Sequence, residues 1–150
     1  MLGEVRAILL SVTFIASSLL VAESTQERIT QPTLEQIAVW QRLYPKLNSK
    51  MARMEELLNY IERFLGNYEF KQELLNSSLE FSYLASVSGE NLSKDLPFEQ
   101  RKPFLAAIEE TVATANKLYQ SIQNSQQKLA TQALKRLHKI RKQSHVKWAE

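Results

Sequence analysis

The chain of 150 residues contains no cysteine. That excludes disulfides, thiolate metal sites and any cofactor tethered through a thioether. Glycine and proline number only 3 and 4, so the turn punctuation that an all-β domain needs is missing. Clusters of β-branched and aromatic residues are also scarce, and no internal repeat or low-complexity tract is present. The formal charge of +3 is too small to argue for nucleic acid. Histidine occurs twice, at His138 and His145. No His-Glu-x-x-His motif, nucleophile-histidine-acid set or glycine-rich phosphate loop occurs. Glu55-Glu56 and Glu109-Glu110 are sequence neighbours whose side chains diverge around a helix, so they read as solvent-facing charges. Enzyme chemistry therefore has little support. One modest all-α domain is what the length and composition allow.

The first residues read as an export signal. Arg6 precedes an apolar run from Ala7 to Ala22, shorter than the ~20 residues a spanning helix needs and proportioned like a signal h-region. Small-residue cleavage patterns end at Ser18 and Ser24, which gives a signal peptide over residues 1–24. Glu4 weakens the basic character ahead of the run, so an uncleaved anchor is the competing reading. Cleavage leaves no stable membrane span and delivers the chain to the periplasm of a Gram-negative source.

Residues 25–46 form an N-terminal extension. Its first part is polar as far as Pro32, and Thr33 is placed to cap a short helix over Leu34–Tyr44, stopped by Pro45. Beyond it, Leu47, Met51, Met54, Leu58, Ile61 and Leu65 form a helical stripe that Gly66-Asn67 ends. A second long helix fits Tyr68 to about Val87. Ser88–Lys102 holds Gly89, Asn91, Asp95 and Pro97 and reads as the one long loop. Pro103 suits the first turn of a third helix, continued by Phe104, Ile108, Val112, Ala115 and Tyr119. Asn124-Ser125-Gln126 breaks the chain before a last helix from about Gln127. The expectation for residues 47–150 is an antiparallel up-down-up-down four-helix bundle.

The closing run, Leu134 to Trp148, carries the most chemistry. Leu134, Leu137, Arg141, His145 and Trp148 recur at helical spacing and share one stripe. In such a bundle the first and last helices run in opposite directions, so Met51 falls level with His145. A thioether and an imidazole facing each other across a bundle end can bind haem iron from both sides. Met54, one turn on, is the rival thioether, and His138 returns to nearly the same face as His145. The same helix carries Lys128, Lys135, Arg136, Lys139, Arg141, Lys142 and Lys147 without an acidic residue. Those cations complement the helix C-terminus, or they form a docking face for an acidic redox partner or an anionic membrane.

These residues resemble the soluble cytochrome b562 family. That family ends on Leu, then Arg four later, then His four after that, followed closely by Lys and an aromatic; here these are Leu137, Arg141, His145, Lys147 and Trp148. Its first helix carries a methionine followed by apolar residues at plus three, seven and ten, matched by Met51, Met54, Leu58 and Ile61. Its third helix opens with pocket aromatics, to which Phe104 and Ile108 correspond, one having become aliphatic. The resemblance covers about residues 47–148 at low overall identity.

The resemblance implies one non-covalent b-type haem per chain, with Met51 and His145 as axial ligands, Arg141 beside the haem, and Phe104 and Ile108 lining its pocket. Two filled axial positions imply electron transfer to a redox partner protein, without substrate binding or catalysis. Two departures define the alternatives. Residues 25–46 have no counterpart in the family, and a bundle of this kind persists without cofactor. The alternative is a haem-free periplasmic adaptor or chaperone-like binder, or one anchored to the membrane by its N-terminus.

Overall fold

The computed structural model describes residues 31–148, except for the side chains of Ser93, His145, Val146 and Trp148. The expected signal peptide and residues 25–30 of the extension lie outside the described residues. What is described is all-helical: α1 (Leu34–Leu43), α2 (Leu47–Phe64), a 3-10 turn (Tyr68–Phe70), α3 (Lys71–Asp95), α4 (Phe98–Gln123) and α5 (Gln127–Trp148). No helix among these residues is long and apolar enough to cross a membrane.

α1 begins where the sequence places it. Thr33 Oγ1 accepts from the Gln36 amide at 3.2 Å, while Gln36 Oε1 accepts from the Thr33 amide at 2.9 Å, a reciprocal cap that satisfies donors the first turn leaves free. The helix buries only Trp40, whose ring packs on Tyr83 of α3 with centroids 5.3 Å apart. Leu34, Val39 and Leu43 remain exposed.

Four longer helices share one apolar core. α2 contributes Leu57, Leu58 and Ile61; α3 Leu74, Leu75, Phe81 and Leu84; α4 Ala115, Leu118 and Ile122; α5 Ala130, Ala133, Leu134 and Leu137. Each fully buried Leu or Ile stabilises the fold by about 1.5–3 kcal/mol. Residue pairs between helices fix the register. Ser82 meets Asn116 and Gly89 meets Ile108 between α3 and α4. Glu55 meets Arg141 and Glu62 meets His138 between α2 and α5. In each set one number rises as the other falls, so these neighbours run antiparallel. Gly66 ends α2 with φ of 91°, and a Cβ there would lie 2.9 Å from the Gln127 side chain that opens α5.

Two helix boundaries depart from expectation. The second long helix opens with the 3-10 turn, which Asn67 caps by accepting from the Glu69 amide, and it continues past Val87 to Asp95. The expected loop over Ser88–Lys102 thus shrinks to Leu96–Pro97 between α3 and α4. Gly89 acts through close packing: an added Cβ would stand 2.7 Å from Ile108 Cγ2. Glycine costs a helix interior roughly 0.5–1 kcal/mol, and here the tight contact between α3 and α4 offsets that cost. Pro103 accordingly lies within α4, in its second turn, where its missing N–H removes one helical hydrogen bond.

Candidate functional site

A cavity of about 220 Å³ opens between α2, α3, α4 and α5. Its walls are Met51, Ala52, Met54, Glu55 and Leu58 from α2, and Phe81, Ala85, Ser88 and Leu92 from α3. α4 adds Phe104, Ala107, Ile108 and Thr111, and α5 adds Leu137, Ile140, Arg141 and Ser144. An apolar cavity of roughly 150 Å³ already admits benzene, so this one has room for a guest somewhat larger than that. A groove of about 550 Å³ crosses α4 and α5, but exposed Glu110, Lys117, Gln132 and Arg136 line it, so it offers a hydrated surface.

Met51, Met54, Phe104, Ile108 and Arg141, singled out in the sequence, line this cavity from three separate stretches. Phe104 is buried in the wall and Ile108 is half-buried. Met51 lies 39 % exposed at the rim, whereas Met54 also packs against the core, so both thioethers face the cavity from adjacent turns. Arg141 lines the cavity from α5 and donates from Nη1 to Glu55 Oε1 at 3.1 Å. His145 lies one helical turn beyond Arg141, directly after the wall residue Ser144; its side chain is outside the described set. His138 is placed elsewhere. Its Nε2 is buried without a hydrogen bond, 3.5 Å from Glu62 Oε2, and forms an ion pair only when the imidazole is protonated.

An ionic clamp braces the turn that carries the methionines. Arg53 binds Glu80 of α3 with two hydrogen bonds, Nε to Oε1 at 2.8 Å and Nη2 to Oε2 at 3.2 Å, and reaches Glu56 at 3.2 Å. Glu80 is buried, and a two-pronged bond to guanidinium satisfies both its oxygens. That bond raises the Arg53 pKa further above its ordinary value, although partial burial opposes the charge. Tyr44, just before α2, lies 5.7 Å below the Arg53 guanidinium, and burial pushes its phenol pKa upward.

Two members of the site were not anticipated. Glu55 is a solvent-facing charge at 59 % exposure, and it also pairs with Arg141 at the cavity wall. Ser88, assigned to a loop, is helical, 2 % exposed and without a hydrogen-bond partner. Its place on a buried α3 face was readable only if the helical period had been carried past Val87. Among the described residues no three His, Asp or Glu side chains converge on a metal position. The chain matches no protein-family model, and it has no match among curated proteins or solved structures.

Proposed function

We propose that this protein is a periplasmic electron carrier, an up-down-up-down four-helix bundle that binds one non-covalent b-type haem between Met51 and His145. The observation that carries the reading is the cavity itself. Met51, Phe104, Ile108 and Arg141, chosen for their place in a motif, all line one mainly apolar space large enough for an organic guest. The walls fit the chemistry of a macrocycle with acidic side groups. Phe104, Ile108, Leu58 and Leu137 supply apolar surface, Arg141 supplies a cation, and the unpartnered Ser88 hydroxyl supplies a donor.

When bound, the haem would supply a reversible one-electron iron couple. The chain's own residues account for the rest. The Met51 thioether and the His145 imidazole would hold the iron, and a thioether donor favours the reduced state. Arg141 would exchange its exposed partner Glu55 for a ligand carboxylate. Phe104 and Ile108 would exclude water from the ring. Lys128, Lys135, Lys139 and Lys142 are exposed at helical spacing on α5. That stripe, on a helix without an acidic residue, suits an acidic redox partner protein.

The exposed Leu34, Val39 and Leu43 on α1 favour the second reading, a haem-free adaptor that binds a protein through that helix. The visible spectrum after reconstitution with haemin separates the two. Sharp low-spin bands on reduction, lost in both Met51→Ala and His145→Ala, support the cytochrome. No haem uptake moves the assignment to the adaptor.

A further inference from the structure

Most buried hydroxyls of this fold have an acceptor. Ser78 donates to the Leu74 carbonyl at 2.8 Å, Thr114 to Glu110 at 2.7 Å and Ser121 to Lys117 at 2.7 Å, each one turn back in its own helix. Ser82 donates across to Asn116 Oδ1 at 3.3 Å. Ser88 differs. It is 2 % exposed on the cavity wall, and its Oγ has no partner, although a helical serine can ordinarily back-bond to its own preceding turn. Gly89 beside it draws Ile108 of α4 to a contact that no larger residue permits, which fixes the wall on which Ser88 sits.

Three of the four other polar wall groups are committed, and the fourth, Ser144 of α5, is less deeply buried than Ser88. Thr111 donates to the Ala107 carbonyl at 2.8 Å, and Glu55 and Arg141 bind one another. Among the described wall residues Arg141 is the only cation, and its pairing is half-exposed and exchangeable. A buried hydroxyl without an acceptor is a cost to the fold that a bound acceptor would remove. We infer that Ser88 is a ligand-contacting residue: its hydroxyl donates a hydrogen bond to an acceptor on a largely apolar carboxylate held in this cavity. The inference rests on the cavity being a ligand site; haem is one such carboxylate and a fatty acid is another.

The test uses the full chain purified without added haem. It is titrated with haemin, metal-free protoporphyrin IX and the fluorescent fatty acid cis-parinaric acid. For whichever probe the wild type binds, Ser88→Ala weakens binding about tenfold, equivalent to 1.4 kcal/mol. It also raises the Tm of the ligand-free protein, because a buried donor without an acceptor has been removed. Ser88→Cys, similar in size and a weaker donor, falls between. If only parinaric acid binds, with the same dependence on Ser88, this inference stands and the haem reading falls. If haemin binds Ser88→Ala as tightly as the wild type, the haem reading stands and this inference is overturned. A lower ligand-free Tm in Ser88→Ala, or failure of the wild type to bind any of the three probes, overturns it as well.

Discussion

Arg141 of α5 reaches Glu55 of α2 at 3.1 Å, and both side chains line the same cavity. The pair is 39 % and 59 % exposed, so water screens it and its contribution to stability is about 0–1 kcal/mol. Its larger consequence is for the charge a guest meets. Glu55→Gln frees the guanidinium, and haemin affinity should rise about fivefold, the ~1 kcal/mol of a water-screened charge pair at 4 Å. Arg141→Ala should lower it. Parallel haemin titrations check both, and unchanged affinity in Arg141→Ala would remove Arg141 from the ligand's surroundings.

The Arg53–Glu80 clamp should act on stability instead. Arg53→Ala leaves the Glu80 carboxylate buried without its partner. The expected loss is about 2–3 kcal/mol, below the 3–5 kcal/mol typical of a fully buried pair because Arg53 keeps 32 % exposure. Urea unfolding measures it. A loss under about 0.5 kcal/mol would mean that Glu80 finds water when Arg53 is gone.

Tyr44 gives the fold a pH dependence on the alkaline side. Burial is the largest cause of its raised pKa; Glu80 and Glu56 add to it, while the Arg53 charge opposes it. A phenol whose pKa is raised in the folded state contributes stability that is fully present below the unfolded value of about 10. That contribution is lost as pH climbs through the higher folded value. Thermal unfolding from roughly pH 9 to 12 should therefore show a falling Tm that Tyr44→Phe flattens. Equal slopes for the two proteins would assign the fall to other groups.

Gly89→Ala tests the close approach of α3 and α4. Alanine favours a helix by up to about 1 kcal/mol, but its Cβ would stand 2.7 Å from Ile108 Cγ2 and 3.2 Å from Ile108 Cβ. Overpacking of this kind costs about 1–3 kcal/mol, so the clash should win and Tm should fall. Ile108→Ala in the same chain should recover much of the loss, a coupling that a double-mutant cycle reads directly.

That glycine also marks what the sequence pattern could and could not carry. Local signals were strong at Thr33, Gly66 and Gln127, where a cap, a positive φ and a polar break coincide with real helix ends. Around Ser88 and Gly89 the local signal pointed to a loop, because small polar residues favour turns when nothing opposes them. Packing against Ile108 opposes them here, and a contact between residues so distant in sequence leaves no mark in helical periodicity. The Glu55–Arg141 pair left no local sign for a related reason: two adjacent glutamates diverge on their own helix, and the partner of one comes from α5. The apolar walls at Leu58, Phe104 and Leu137 and the cation Arg141 were legible from spacing; Ser88 among them was not.

Met51 and Met54 make the sharpest remaining distinction. Both face the cavity, one at its rim and one packed inward, so substitution separates them as the thioether that would hold iron in the proposed haem protein. Met51, exposed at 39 %, is free to turn toward a guest at little cost to the core. Its replacement by alanine should leave the ligand-free Tm nearly unchanged and remove the low-spin bands of the reduced haem protein. Met54→Ala should do the reverse, costing about 2 kcal/mol by opening a space beside the core while the bands persist. If instead the bands survive Met51→Ala and vanish in Met54→Ala, the ligand lies one turn further into the bundle.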